Sequence, residues 1–259
     1  MPGNRNGGVL ALGGIALAAL LAIVGHLGVD GLDPVSLTVS DYAVSDSGGV
    51  IHVAMLLLAA ASAMLVPALR QLGAPGVTRV GAVGGGEARA GRRGMVAEVL
   101  LAAWAGGLLV AGLVPTNPPG TEMSTAAYVH RYASVVAFLA LPVAGWLLAA
   151  RLPTDARARH WLRALTLASL LLAAAMVWSA YPGDRALYGL IERALILTEV
   201  ALLTLLAVIL APAAVDHAVV APRESREPAQ INNHNSIIGE PDGVGVTPVR
   251  GASVGGRPR

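Results

Sequence analysis

The chain contains no cysteine and no lysine, a single phenylalanine, and few charged residues for its length. Each shortage excludes something. Without cysteine there can be no disulfide, no thiolate metal site and no thiol nucleophile. Only 13% of the 259 residues are charged, against about 25% in a soluble domain, so the chain lacks the polar surface to cover itself in water. All 18 basic residues are arginine, which together with the Ala, Gly and Val bias suggests a GC-rich bacterial genome. The pI near 9.4 does not point to nucleic acid, because the arginines are scattered among short connectors; a solvated inner membrane face explains them better.

Several catalytic signatures are missing too. No HxxxH or HExxH spacing occurs. Ser36, Ser40, Ser45 and Ser47 lack the G-x-S-x-G setting of a nucleophile elbow. Gly84, Gly85 and Gly86 are not followed by the Lys-Ser/Thr of a phosphate-binding loop.

What the chain has is hydrocarbon. Apolar residues make up 55% of it and fall into six blocks of about 20 residues, the length that crosses a bilayer. The blocks are 9–27, 50–69, 95–114, 128–150, 162–180 and 190–210. The first reads as a retained helix, since no small-x-small cleavage site follows closely and further spans succeed it.

The connectors alternate in character. Segment 28–49 is a loop with four aspartates (Asp30, Asp33, Asp41, Asp46) and no arginine. Segment 70–94 holds five arginines and a glycine run, so it is expected to be flexible. At 112–134, Pro115, Pro118 and Pro119 must end the third span, and Thr125 is expected to cap the fourth. Gly106, Gly107 and Gly112 with Ala103 offer a small-residue surface for close helix packing. Pro142 is expected to kink the fourth span, and Glu98 to pair with Arg92 or Arg93. Trp178 and Tyr181 suit an interface belt.

The fold expected is therefore all-α, a six-helix transmembrane bundle. A short segment 1–8 precedes a membrane domain over 9–212, and a disordered cytoplasmic tail follows over 213–259. Fifteen arginines fall on the side of the termini and three, Arg131, Arg185 and Arg193, on the other. The asymmetry places both termini in the cytoplasm, and the expected location is the bacterial cytoplasmic membrane.

That orientation gathers polar groups at the outer end. His26, His52 and His130 lie near the outward ends of their spans, and Glu192, Asp184, Arg185 and Arg193 sit at the same level. His52, His130 and Glu192 are candidate acid/base groups or ligands for a divalent metal such as zinc, although the sequence requires no cofactor. The bland reading pairs Arg131 with Glu192 and Arg193 with Asp184. Glu199 stands apart, about 14 Å into the sixth span at 1.5 Å per residue, where a charge costs at least about 2.5 kcal/mol. It is a candidate for a proton or cation relay, or a neutral acid donating a hydrogen bond to a backbone carbonyl or Ser134. The catalytic candidates are thus His52, His130, Glu192 and Glu199.

Three stretches carry a resemblance. LVPTNPPGTEMSTAAYVHRYASVVAFLALP, VSDYAVSDSGGVIHVAMLLLAA and GLIERALILTEVALL together resemble the domain-of-unknown-function 998 family of bacterial membrane proteins. The first matches an outer loop of the form F/V-P-x-D/N-P leading to a helix that opens with His. The second is similar to a Ser-Asp-Tyr loop before the second span. The third looks like a final helix with Gly-Leu-x-Glu-Arg and a deeper acid. The resemblance covers about 9–212 and implies a six-span bundle without adding an activity. Asn117 stands where the family pattern often has an acid.

Two functional readings remain open. One is a binding, sensing or assembly protein whose outer loops engage a lipid or a protein partner. The alternative is a metal-dependent membrane hydrolase acting on a lipid or other amphiphile through the outer His/Glu cup. A transporter has less behind it, because no inverted repeat is evident.

Overall fold

A computed structural model describes residues 7–28, 33–45, 48–73, 86–118, 120–152 and 154–219, without the side chains of 71–73, 86–90 and 212–219. Among them are seven helices: α1 (Gly7–Leu27), α2 (Val39–Ala43), α3 (Gly49–Gly73), α4 (Gly86–Leu113), α5 (Thr125–Ala149), α6 (Ala156–Ala180) and α7 (Tyr188–Val219). Six are long and apolar enough to cross a membrane. The protein is a multi-pass, all-helical membrane protein. Large side chains such as Leu20, Val99, Leu171 and Leu197 point outward, as lipid-facing positions should.

The six apolar blocks became the six long helices, but their ends moved. α4 begins at Gly86 and α6 at Ala156, so both absorb arginines expected in connectors. Hydropathy falls at the headgroups, yet nothing in Glu87–Arg93 or Arg157–Arg163 stops the i→i−4 ladder. α7 continues to Val219, past the expected limit of the membrane domain. The expected tail from 220 onward lies outside the described residues, as does the middle of the 70–94 connector. Pro142 lies within α5, which remains one helix from Thr125 to Ala149.

One cap differs from expectation and another was not foreseen. Ser124, not Thr125, caps α5, its side chain accepting from the Ala127 amide. Asp155 caps α6 in the same way through Ala158.

Consecutive long helices pack side by side, and α7 returns to α1 while also touching α3 and α5. Small residues permit these approaches. A Cβ on Gly107 would lie 2.7 Å from the Ala133 carbonyl oxygen, and one on Gly14 would lie 2.9 Å from the Ala61 methyl. Gly112 faces α3 at Leu56, whereas Gly106 faces open space and takes no part in the expected packing surface. Buried Leu65, Leu101, Leu141, Leu202 and Leu206 fill the centre. Within it, the Trp104 indole N–H donates to the Ser62 hydroxyl at 2.9 Å, and that hydroxyl donates to the Leu58 carbonyl at 2.6 Å. Such an interhelical bond is worth about 0.6 kcal/mol in a membrane bundle.

Candidate functional site at the α2 end of the bundle

The segment between α1 and α3 is not an open loop. Asp33 accepts hydrogen bonds from the Val35 and Ser36 amides and, at 2.6 Å, from the Ser36 hydroxyl. The Ser36 hydroxyl, then the Val35 amide, hold the Asp33 carboxyl below its ordinary value. Thr38 and Asp41 next close a capping box around α2. The Asp41 amide donates to Thr38 Oγ1 at 3.1 Å, and Asp41 Oδ2 accepts from the Thr38 amide at 2.8 Å. Two of the helix's free amides are satisfied in this way. The T-x-x-D spacing at 38–41 marks α2 in the sequence, within the stretch expected as a loop.

The first turn of α7 grips this segment. The Leu190 amide donates to the Val35 carbonyl at 3.1 Å. Arg193 Nη1 lies within hydrogen-bond distance of the Pro34, Leu37 and Gly189 carbonyls, at 2.8, 2.6 and 3.0 Å. Glu192 Oε2 accepts the Val39 amide at 2.6 Å, so the carboxyl caps the first residue of α2. Gly189 is what lets the segments come so close. A Cβ there would strike the Leu37 carbonyl.

Tyr42 carries two further contacts. The His26 ring stacks on it at 5.0 Å between centroids, and the Arg193 guanidinium lies 4.8 Å over its centroid. His26 Nδ1 donates to the Ala22 carbonyl at 2.7 Å.

His130, on the first turns of α5, closes the network from the opposite side. One ring nitrogen, Nδ1, is 2.9 Å from the Val114 carbonyl and the other, Nε2, is 2.9 Å from the Ser40 hydroxyl. A carbonyl only accepts, so Nδ1 carries a proton, and Nε2 shares a hydrogen bond with the Ser40 hydroxyl. Asn117 sets where α5 begins. Its Oδ1 accepts from the Ser124 amide and hydroxyl, and its Nδ2 donates to the Glu122 carbonyl at 2.7 Å. An amide can do this where a carboxylate cannot, because it donates as well as accepts.

Three of the expected candidates, His52, His130 and Glu192, lie toward one end but are differently engaged, and the fourth, Glu199, lies deeper in α7. His52 is half-buried on α3, within electrostatic range of His130. Glu192 is buried and takes a backbone amide, not Arg131. Arg193 takes carbonyls, not Asp184, and Glu98 pairs with Arg70 at 3.2 Å, not with Arg92 or Arg93. Among the described residues no group of three His, Asp or Glu side chains is placed to share a metal ion. Glu199 is fully buried, and neither of its oxygens has a hydrogen-bond partner among the described residues. Ser134, its expected acceptor, donates instead to the His130 carbonyl at 3.0 Å.

Beneath α2 lies a cavity of about 100 Å³. Its walls are apolar side chains of five spans, among them Ala18, Ala54, Leu108, Ala137 and Val200. Val39 and Ser40 of α2 form the roof, and Glu192 and Ser134 line the polar part. The cavity reaches down to Trp104 and Leu58 in the centre of the bundle.

The three stretches that carry the family resemblance meet here. Ser40, Asp41 and Tyr42 belong to α2, which roofs the cavity, Gly189, Glu192 and Arg193 hold it from α7, and His130 holds it from α5. Compared with curated proteins and with solved structures, the chain finds no match in either set. The family model described as "Protein of unknown function (DUF998)" matches residues 12–209, and the chain belongs to that family.

Proposed function

We propose that the protein binds the hydrocarbon part of a membrane amphiphile in the cavity beneath α2, as a binding or sensing protein of the outer face. The observation that carries this reading is the cavity itself: apolar walls within a bilayer-spanning bundle, with polar groups confined to its roofed end. A chain enters such a space by exchanging lipid contacts for protein contacts, and its polar end meets Ser40 and Glu192. The volume is below the 300 Å³ or so of a drug-sized site, so it suits a chain terminus or a single acyl segment. The arginine asymmetry supports placing α2 on the outer face of the bacterial cytoplasmic membrane.

The metal-dependent hydrolase reading has less behind it. Its candidate carboxylate, Glu192, is taken by Val39, and both ring nitrogens of His130 are engaged. Activity toward a lipid would require α2 to leave.

Native mass spectrometry of the protein released from nanodiscs tests the reading, with wild type beside Ala54→Leu and Ala137→Leu. Both substitutions fill the cavity. We expect a bound amphiphile on wild type and its loss from the filled variants, with helicity by circular dichroism unchanged. Equal occupancy in wild type and filled variants would refute binding at this place.

A further inference from the structure

Four serine and threonine hydroxyls within the long helices follow one habit. Ser62, Ser134, Thr198 and Thr204 each donate to the carbonyl four residues back, at 2.6 to 3.0 Å. This is the usual way to satisfy a hydroxyl on a membrane helix. Thr166 and Ser169 do not. Both are fully buried on α6, three residues apart on one face, and neither hydroxyl has a partner among the described residues.

These hydroxyls face the level of Glu199. A Cβ on Gly145 of α5 would lie 2.8 Å from Thr166 Oγ1 and 3.1 Å from Leu202 Cδ2, so Thr166 and Leu202 meet across Gly145. α6 and α7 run antiparallel through the short turn between them. Ser169 lies three residues after Thr166, and Glu199 three residues before Leu202. Each is therefore displaced toward that turn by about 4.5 Å, at 1.5 Å per residue. Glu199 and Ser169 share a level, with Thr166 one turn below. Ile196 and Val200 of α7 face the cavity beneath α2 instead, so this is a second place in the molecule.

Three fully buried oxygen-bearing side chains thus lie at neighbouring levels on α6 and α7, none of them hydrogen-bonded to another, deep in a membrane bundle. A carboxyl there is costly unless it is neutral or accompanied by a cation. Hydroxyl and carboxyl oxygens are hard donors, which select hard cations. One carboxylate balances one positive charge, which favours a monovalent ion over a divalent one. No other charge among the described residues competes at this level. α5 and α6 bring His130, Arg131, Arg157, Arg159, His160 and Arg163 only near their N-terminal ends. His26 of α1, His52 of α3 and Asp41 of α2 belong to the α2 end. Glu192, seven residues earlier on α7, is engaged by Val39.

We propose that Glu199, Ser169 and Thr166 form an intramembrane site for a small monovalent cation, a proton or Na⁺. The exchange balances simply: as Na⁺ enters, the carboxyl proton leaves, and the site stays neutral.

The test uses the full chain in detergent, with NaCl titrated against choline chloride at constant ionic strength. Unfolding is followed by tryptophan fluorescence, and the carboxylic-acid carbonyl band by infrared spectroscopy. For a Na⁺ site we expect a saturable rise in Tm that Glu199→Gln abolishes. Ser169→Ala and Thr166→Val should weaken it about tenfold or more, as the loss of an oxygen bound to a charge does. For a proton site Na⁺ has no effect, and an acid band absent from Glu199→Gln disappears as pH is raised, at a pH that Ser169→Ala shifts. An acid band indifferent to both salt and pH, or a Na⁺ effect surviving in Glu199→Gln, would overturn the proposal. Should Glu199→Gln fail to fold, the wild-type band and Ser169→Ala give the same decision.

Discussion

Glu192 shows how little of the α2 network rests on charge pairing. Its oxygen takes a backbone amide, and Arg193 beside it takes backbone carbonyls. These residues were legible in sequence as buried polar groups near the headgroups. Their partners were not, because free amides and carbonyls exist only once α2 has formed and been set down on α7. Pairing acids with bases along the chain was therefore the wrong search. Glu192→Ala should leave the half-buried Val39 amide without its partner and cost about 1–3 kcal/mol. Glu192→Gln, which keeps an accepting oxygen, should recover most of it. Thermal unfolding reads the cost, and hydrogen exchange at the Val39 amide reads its place. Equal losses in both variants, or no change at Val39, would contradict the assignment.

At the scale of elements, α2 depends on being held. Five residues cannot sustain a helix in isolation, so the Thr38/Asp41 box and the α7 contacts must do so. Gly189 is the most sensitive contact, because any side chain there meets the Leu37 carbonyl. Gly189→Ala, mild in an ordinary helix or even favourable, should here lift the 33–45 segment from α7. Amide exchange across that segment should quicken while the long helices stay protected. Unchanged protection would mean that the segment yields without leaving. The six long helices were readable in advance because bilayer thickness imposes a block length. Their ends were not, since an arginine-rich stretch continues a helix into water as readily as it ends one, as α4 and α6 show.

For the whole molecule, the six spans place the α2 end opposite the start of α1 and the end of α7. The arginine distribution favours that end as the outer one. In intact cells, Glu122→Cys, exposed in the α4–α5 turn, should react with a membrane-impermeant maleimide. Arg157→Cys, exposed at the start of α6, should react only after permeabilisation. The reverse pattern would invert the topology and move the cavity roof to the cytoplasm. Neither variant needs a background correction, because the native chain has no cysteine.

The same absence makes the central claim directly measurable, namely that α7 holds the α2 segment down over the cavity. Val35 and Leu190 are joined by a backbone hydrogen bond of 3.1 Å, and both side chains are exposed. In native membranes, the pair Val35→Cys and Leu190→Cys should be joined by a short bis-maleimide within one chain, giving a shifted band on denaturing gels. No crosslink, although each cysteine alone takes up the reagent, would show that the segment does not rest on α7, and the roofed cavity would go with it.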